Sequence, residues 1–346
     1  MTENLDHEEL EHLKFLNNRY NIISKTGEGT FSRVYKALDI RTNKYVALKA
    51  ITKTSAPNRV VDELTFLHDL KGQNNCIPIL GVIRHEDQIV AIFPHFEFTE
   101  FRDFIISCTI YDIKKYLYNL LLPIDHMHKC KIIHRDIKPG NFLYNRDLEQ
   151  GYLIDFGLAQ YATKFEQKKK SELDKVKNKP VIFFNSVVSR SKPPGYYERD
   201  TRPQIKAPRA GTRGFRAPEV IFKYQYQTSA IDIWSAGVVF LNILCVQYPF
   251  FYSTDDIDAL VEIATIFGHK EMRRAAKQYG RVWKSNIDTI PEDRVPFERI
   301  VESLNPFLEL ESDGYDLLYK LLDINADTRI TAEDALNHKF FDSILR

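Results

Sequence analysis

Between His134 and Asn141 the chain reads His-Arg-Asp-Ile-Lys-Pro-Gly-Asn, and three of those side chains offer three different chemistries. The Asp136 carboxylate can take a proton, the Lys138 ammonium can neutralise growing negative charge, and the Asn141 amide oxygen is a hard ligand suited to magnesium. A chance eight-residue run with all three polar roles filled is improbable, which separates it from an ordinary polar loop. An apolar, strand-like stretch then leads to Asp155-Phe156-Gly157. Its carboxylate, together with Asn141 and phosphate oxygens, makes a metal site of hard oxygen ligands.

Upstream, Gly27-Glu28-Gly29-Thr30-Phe31-Ser32-Arg33-Val34 lies between two strand-like runs. Missing side chains let backbone N–H groups approach phosphate oxygens, but a plain hairpin turn would read the same way when taken alone. The next motif narrows the choice. Lys49, in Val46-Ala47-Leu48-Lys49, falls on an inner strand face, where an ammonium is costly to bury without a partner. A phosphate pair and a carboxylate would supply one. Glu63, on a helix that interrupts the strands, is the candidate carboxylate; neighbouring Asp62 is its rival, and a solvated helix-face acid is the alternative.

Taken in order, these runs resemble the eukaryotic protein kinase superfamily from about Tyr20 to Phe341. The resemblance implies a bilobal fold with ATP in the cleft between lobes, and magnesium as the second cofactor. It implies that Asp136 orients the substrate hydroxyl, Lys138 steadies the transferring phosphoryl group, and Asn141 and Asp155 hold metal. Lys49 and Glu63 would form the pair that grips the α- and β-phosphates. Thr26, Gly27, Glu28, Gly29, Thr30, Phe31 and Ser32 would cover the phosphates, with Ser32 in place of the usual third glycine. Val34, Ala47 and Leu143 would sandwich the adenine, and Phe93, Pro94, His95 and Phe96 would form the hinge. Lys138 and the Gly211-Thr212 pair are the serine/threonine signature. Glu219 would pair with Arg329, and Asp232 would brace the catalytic loop, both in structural roles.

The run Arg209-Ala-Gly-Thr-Arg-Gly-Phe-Arg-Ala-Pro-Glu219 is more distinctive, with Phe215 where most kinases carry tyrosine or tryptophan. It is similar to the DNA-replication-initiation kinases, the cell-division-cycle-seven family. GEGTFSRVYKA, HRDIKPGNFL, DFGLAQ, IDIWSAGV and TIFGHKEMR fit that family too. The stretch from Asp155 to Glu219 is about twice the usual length, so an insert is present. This likeness implies a nuclear cell-cycle kinase switched on by a regulatory subunit, with the replicative helicase as substrate and a preference for acidic or phosphorylated residues after the acceptor. Arg209, Thr212, Arg213 and Arg216 would recognise substrate, since guanidinium groups favour carboxylate or phosphate. Ordinary surface charge paired internally to a loop acid is the alternative for the arginines. Inserts short for the family and an early ending fit a meiotic or streamlined member. A casein-kinase-like enzyme and a nucleotide-binding pseudokinase scaffold are the rival functions.

These residues need a framework to bring them together. From Tyr20, short β-rich runs (21–27, 32–40, 44–51, 77–83 and 88–96) predict an antiparallel sheet interrupted by one helix over 57–70. After residue 100, long apolar-periodic segments at 112–128, 231–246, 257–268 and 315–324 predict helices. The fold class is α+β. The boundaries read as a helical extension at 1–19, a small lobe at about 20–96 and a helical lobe at about 97–341. A charged, Pro-rich insert at about 161–208 is read as largely mobile. Leu5, Leu10, Leu13 and Leu16 place a short helix before the first strand.

Bulk properties exclude other classes. Lys+Arg (48) and Asp+Glu (47) nearly cancel over 346 residues, so no whole-molecule field draws the chain to nucleic acid or an anionic bilayer. No apolar run reaches the roughly 20 residues needed to span a membrane, and the acidic start lacks the form of a secretory signal. Four scattered cysteines without a CxxC pair read as reduced, apolar thiols of an intracellular protein.

Overall fold

The computed structural model describes residues 11–29, 32–51, 57–162 and 209–345. Its first part is a five-stranded antiparallel sheet of order β1-β2-β3-β5-β4, built from β1 (Tyr20–Glu28), β2 (Ser32–Asp39), β3 (Lys44–Ile51), β4 (Gly81–His85) and β5 (Gln88–Pro94). Alternation decides what each face does. On β3, Val46, Leu48 and Ala50 are buried in a small core with Tyr35, Ala37, Val90 and Ile92, so Ala47 and Lys49 face the other way. Leu13 and Leu16 close that core from the N-terminal side, carried by a 3-10 turn at Lys14–Leu16. Residues 5–10 of the expected leading helix lie outside the described residues. β4 begins later than its apolar run because Pro78 cannot donate to a ladder; the first bond to β5 comes from Leu80 N to Ile92 O.

Helix α1 (Pro57–Leu70) interrupts the strands. Val60, Leu67 and Leu70 turn inward as the periodicity predicts, whereas Val61 is exposed. Phe66, Leu67 and Leu70 belong to the large core of the helical part, so α1 ties the sheet to the helices packed around that core.

The second part contains α2 (Phe101–Ser107), α3 (Ile110–Lys129), α4 (Pro218–Ile221), α5 (Ala230–Leu244), α6 (Asp256–Gln278), α7 (Phe297–Leu304), α8 (Ser312–Leu321) and α9 (Ala332–Leu336). α3 starts on a reciprocal cap between Thr109 and Asp112, which satisfies two of the orphan N–H groups at a helix start. It contains Pro123, which cannot donate to the carbonyl of Asn119. Asn75, in the link after α1, fills that vacancy: its Nδ2 donates to Asn119 O at 3.1 Å and to Asn119 Oδ1 at 2.8 Å. α5 is buried along almost its whole length, as expected of a helix that is apolar all round.

The sequence ends the sixth helix at Gly268, but α6 resumes beyond it. Gly268 has φ +73°, and a Cβ there would lie 2.6 Å from the Asp293 backbone. The interrupted ladder is repaired from outside, by His269 N to Pro291 O and Lys270 N to Glu292 O.

Two small hairpin-like pairs connect the parts: β6 (Ile132–Ile133) with β9 (Gln160–Tyr161), and β7 (Phe142–Asn145) with β8 (Gln150–Leu153). Tyr161 and Ala162, counted with the insert on composition, belong to this framework: Tyr161 pairs with Ile132 and Ala162 N donates to Lys131 O. The remainder of the insert, 163–208, lies outside the described residues. No helix among the described residues is long and apolar enough to cross a membrane.

Candidate active site

The catalytic loop between β6 and β7 is suspended from α5. Asp232, fully buried, accepts hydrogen bonds from His134 N at 2.9 Å and Arg135 N at 2.8 Å, and its Oδ2 lies 2.9 Å from His128 Nε2 on α3. The two N–H groups and the imidazole give a buried carboxylate the partners it requires. Arg135 sits at φ +71°, a conformation rare for a side-chain-bearing residue, and the Asp232 bonds hold it there.

Asp136 stands at the centre of the loop, 8% exposed. Its Oδ1 accepts from Thr212 N and Thr212 Oγ1, both at 2.7 Å. Its Oδ2 lies 2.9 Å from Lys138 Nζ and 3.0 Å from Asn141 Nδ2. Burial pushes the Asp136 carboxyl up, but the bonds from Lys138 and Thr212 outweigh it and hold the group below the usual carboxylate range. It is therefore an anion near neutral pH. Lys138 Nζ also donates to Thr212 Oγ1 at 2.8 Å, so Thr212 bridges the Asp136 carboxylate and the Lys138 ammonium. Asn141 gives its amide nitrogen to Asp136, which leaves the oxygen as the end free for a cation.

Above the loop, Lys49 Nζ lies 2.6 Å from Glu63 Oε1 and 3.2 Å from Asp155 Oδ1. The rivalry between Glu63 and Asp62 is resolved in favour of Glu63. Burial alone would lower the Lys49 pKa, but Glu63 and Asp155 more than offset it and hold the ammonium above the ordinary lysine value. In Asp155 the same contact works in reverse: burial raises the carboxyl, and Lys49 pulls it below its usual range. Asp155 also has φ +62°, while Phe156 beside it is buried, edge-on to His134 at 5.2 Å. Arg59 on α1 reaches Gly157 O at 3.4 Å. Asn141 and Asp155 are the pair that could hold a divalent cation. An amide oxygen and a carboxylate suit a magnesium ion that draws its other ligands from phosphate and water; among the described residues no group of three or more His, Cys, Asp or Glu forms a self-sufficient metal cage.

Val34 pairs with Lys49, and Ala47 with Phe93, in the ladders β2-β3 and β3-β5. Leu143 lies between Phe142 and Tyr144, both buried, so alternation turns it away from the core. Pro94 ends β5, His95 N donates to Tyr45 O at 3.3 Å, and Phe96 meets Tyr152 edge-on at 5.0 Å. In the glycine loop Gly27 opposes Val34, Glu28 opposes Arg33, and Gly29 N donates to Ser32 O at 2.8 Å. Thr26 Oγ1 reaches Val34 O at 3.3 Å. Thr30 and Phe31 lie outside the described residues.

The loop 209–216 carries the expected arginines to a place the sequence did not signal. Arg209 Nε and Arg216 NH1 lie 2.7 Å and 3.0 Å from the two oxygens of Asp256 at the start of α6. Of the two readings left open for the arginines, internal pairing is present for these two. Arg213 is exposed and donates to the Thr254 carbonyl. Glu219 and Arg329 form the expected pair, bidentate at 2.8 and 3.0 Å and almost wholly buried. Asp256 and His128 were missed. The acidic run Asp255-Asp256-Ile257-Asp258 reads from sequence as a helix start, and His128 as one of several polar residues ending a helix.

Comparison with known proteins gives a consistent result. Residues 20–179 and 195–341 match the protein kinase domain family. The chain is 62% identical over 336 residues to a probable cell division control protein 7 homolog of Encephalitozoon cuniculi, covering 97% of this chain and 95% of that one. It is 37% identical to the cell cycle protein kinase spo4 of Schizosaccharomyces pombe (94% and 85% covered). It is 36% identical to the cell cycle serine/threonine-protein kinase hsk1 of the same yeast (97% and 76% covered).

Proposed function

The chain belongs to the protein kinase family and, within it, to the cell-division-cycle-seven kinases, and from that premise we propose how its residues divide the work of phosphoryl transfer. It is a serine/threonine protein kinase that uses ATP and a divalent metal on protein substrates. Magnesium is the metal assigned, and Asn141 and Asp155 would hold it together with phosphate oxygens. When bound, it neutralises charge on the phosphates. Lys49, fixed by Glu63, grips the non-transferred phosphates under the glycine loop. Asp136, anionic and aimed by Thr212 and Asn141, accepts a hydrogen bond from the substrate hydroxyl and aligns its oxygen with the γ-phosphate. Lys138 stabilises the charge that gathers on the transferring group.

The observation that carries this reading is the convergence of Lys49, Asp136, Asn141 and Asp155 from three separate segments: Lys49 meets Asp155, Asp136 meets Asn141, and the bond from Ile154 N to Asn141 O at 2.9 Å ties the two pairs together. Asp136→Asn should lower kcat on the order of a thousandfold while a fluorescent ATP analogue still binds. Turnover at the wild-type rate would remove Asp136 from its role.

The kinase domain spans 20–341, with 1–19 an extension whose Leu13 and Leu16 complete the small core. We assign it to the nucleus, with an activating regulatory subunit and replicative helicase subunits as partners, in replication initiation or a meiotic counterpart. The family likeness supports these assignments. Purification of the tagged chain from its own cells followed by mass spectrometry tests the subunit; absence of any stoichiometric companion would remove it.

A further inference from the structure

Where the 209–216 loop meets the start of α6, three guanidinium groups face three carboxylates, and the pairing among them is uneven. Asp256, its side chain only 14% exposed, takes both Arg209 and Arg216. Arg216 is further committed through its Nε to Gly211 O at 2.8 Å, and it too is only 14% exposed. Asp255 is engaged by the N–H groups of Ile257 and Asp258 as the helix cap, and Asp258 by the Thr254 hydroxyl. Arg213 remains. It is exposed, its hydrogen-bond partner is a neutral carbonyl, and among the described residues no carboxylate lies within ion-pair distance of it; the cap residue Asp255 acts on it only weakly, at longer range.

The position of this cluster relative to the chemistry is fixed. Thr212, the residue before Arg213, bonds the proposed proton acceptor through both its backbone and its hydroxyl. Gly211, at φ +96°, lies so close to Arg135 that a Cβ would stand 2.5 Å from its carbonyl oxygen. The loop is therefore seated directly against the catalytic segment.

We propose that Asp256 is a specificity-determining residue: an internal acid that occupies two of the three arginines and sets how much negative charge a substrate must bring to be preferred. The inference rests on the reading that this loop faces the residue following the acceptor. A singly charged side chain there meets one cation that is not in an ion pair, Arg213. A phosphorylated side chain carries about −1.5 to −2 charges and three acceptor oxygens, enough to engage Arg213 and also draw on Arg209, which is half-exposed. Asp256 thus separates phosphate from carboxylate, where an uncompensated arginine triad would accept both.

The test uses the kinase isolated from its own cells with its companions, and serine peptides that differ only in the following residue: alanine, glutamate or phosphoserine. For the wild type, kcat/KM should be at least tenfold higher for phosphoserine than for glutamate. Asp256→Asn should raise the glutamate-to-alanine ratio severalfold and narrow the phosphoserine advantage; Arg213→Ala should bring the glutamate-to-alanine ratio toward one. If Arg213→Ala acts as stated but Asp256→Asn slows all three peptides equally, Asp256 is a brace and the inference is overturned while the loop reading stands. If the wild type treats all three peptides alike, the loop reading itself fails and the inference falls with it. Should Asp256→Asn not fold, the wild-type comparison decides, and equal use of glutamate and phosphoserine overturns the proposal.

Discussion

The floor and the roof of the cleft are held by different kinds of bond. On the floor, the catalytic loop hangs by backbone N–H groups from the fully buried Asp232, and the segment beyond it is locked by the buried Glu219–Arg329 pair, with Arg329 also bonding Asp323 O and Ala230 O. On the roof, one ammonium joins three elements through side chains alone: Lys49 from β3, Glu63 from α1 and Asp155 ahead of Gly157, the last half-exposed. Buried charges with every partner present are costly to disturb, whereas partly solvated contacts can open and reform cheaply. Asp136, the proposed proton acceptor, is thus placed by the fold, and Lys49, the proposed phosphate grip, by side-chain contacts among three separate elements.

That contrast can be broken in graded steps. Arg329→Met should be the most damaging to the fold, because it strands the buried Glu219 carboxylate; about 3–5 kcal/mol of stability should be lost, read as a large fall in melting temperature. If melting is unchanged, the floor is not the rigid side. Glu63→Gln should do the opposite, lowering kcat roughly tenfold to a hundredfold, about 1.4–2.7 kcal/mol, with melting within a degree or two of wild type. A melting loss comparable to that of Arg329→Met would erase the distinction.

Asn75→Ala leaves the Asn119 carbonyl in α3 without its replacement donor and should cost about 1–2 kcal/mol, measurable by thermal melting, with kcat near wild type. The smallest effect concerns pH. The Asp136 carboxyl is held below its ordinary value of 3.8 in the folded state, so its charge contributes stability above about pH 4, and that contribution is lost as pH falls through the folded value. The difference in melting temperature between wild type and Asp136→Asn should be flat from pH 8 to 5 and shrink only below pH 4. A gap that closes between pH 6 and 5 would show a carboxyl that is not held low.

The floor was also the more legible side in the amino-acid sequence. The groups of its loop, His134 to Asn141, lie within one short run, and the α5 helix that supports it announces itself by apolar periodicity. Glu63 could not be told from Asp62, since adjacent helix positions differ by 100° in direction and only the packed orientation of α1 decides which meets Lys49. Asp256 lies 40 positions from Arg216 and looks like any helix-start acid; its partnership exists only after the 250–256 segment is laid against the 209–216 loop. The continuation of α6 past Gly268 was hidden for a similar reason, because the carbonyl acceptors that take up the His269 and Lys270 N–H groups at the break come from residues 291 and 292.

Pro123 and Asn75 have one more effect. The amide that mends the gap in α3 also pins the far end of the link leaving α1, and the residues between, Lys71, Gly72, Asn74 and Asn75, all take left-handed backbone angles. Gly72 is wedged against Pro78, with 2.5 Å from its would-be Cβ to the proline ring. Such a stretch has few alternative shapes to relax into. It anchors the C-terminal end of α1 to α3, so the helix that carries Glu63 is tied to the same body that carries the catalytic loop.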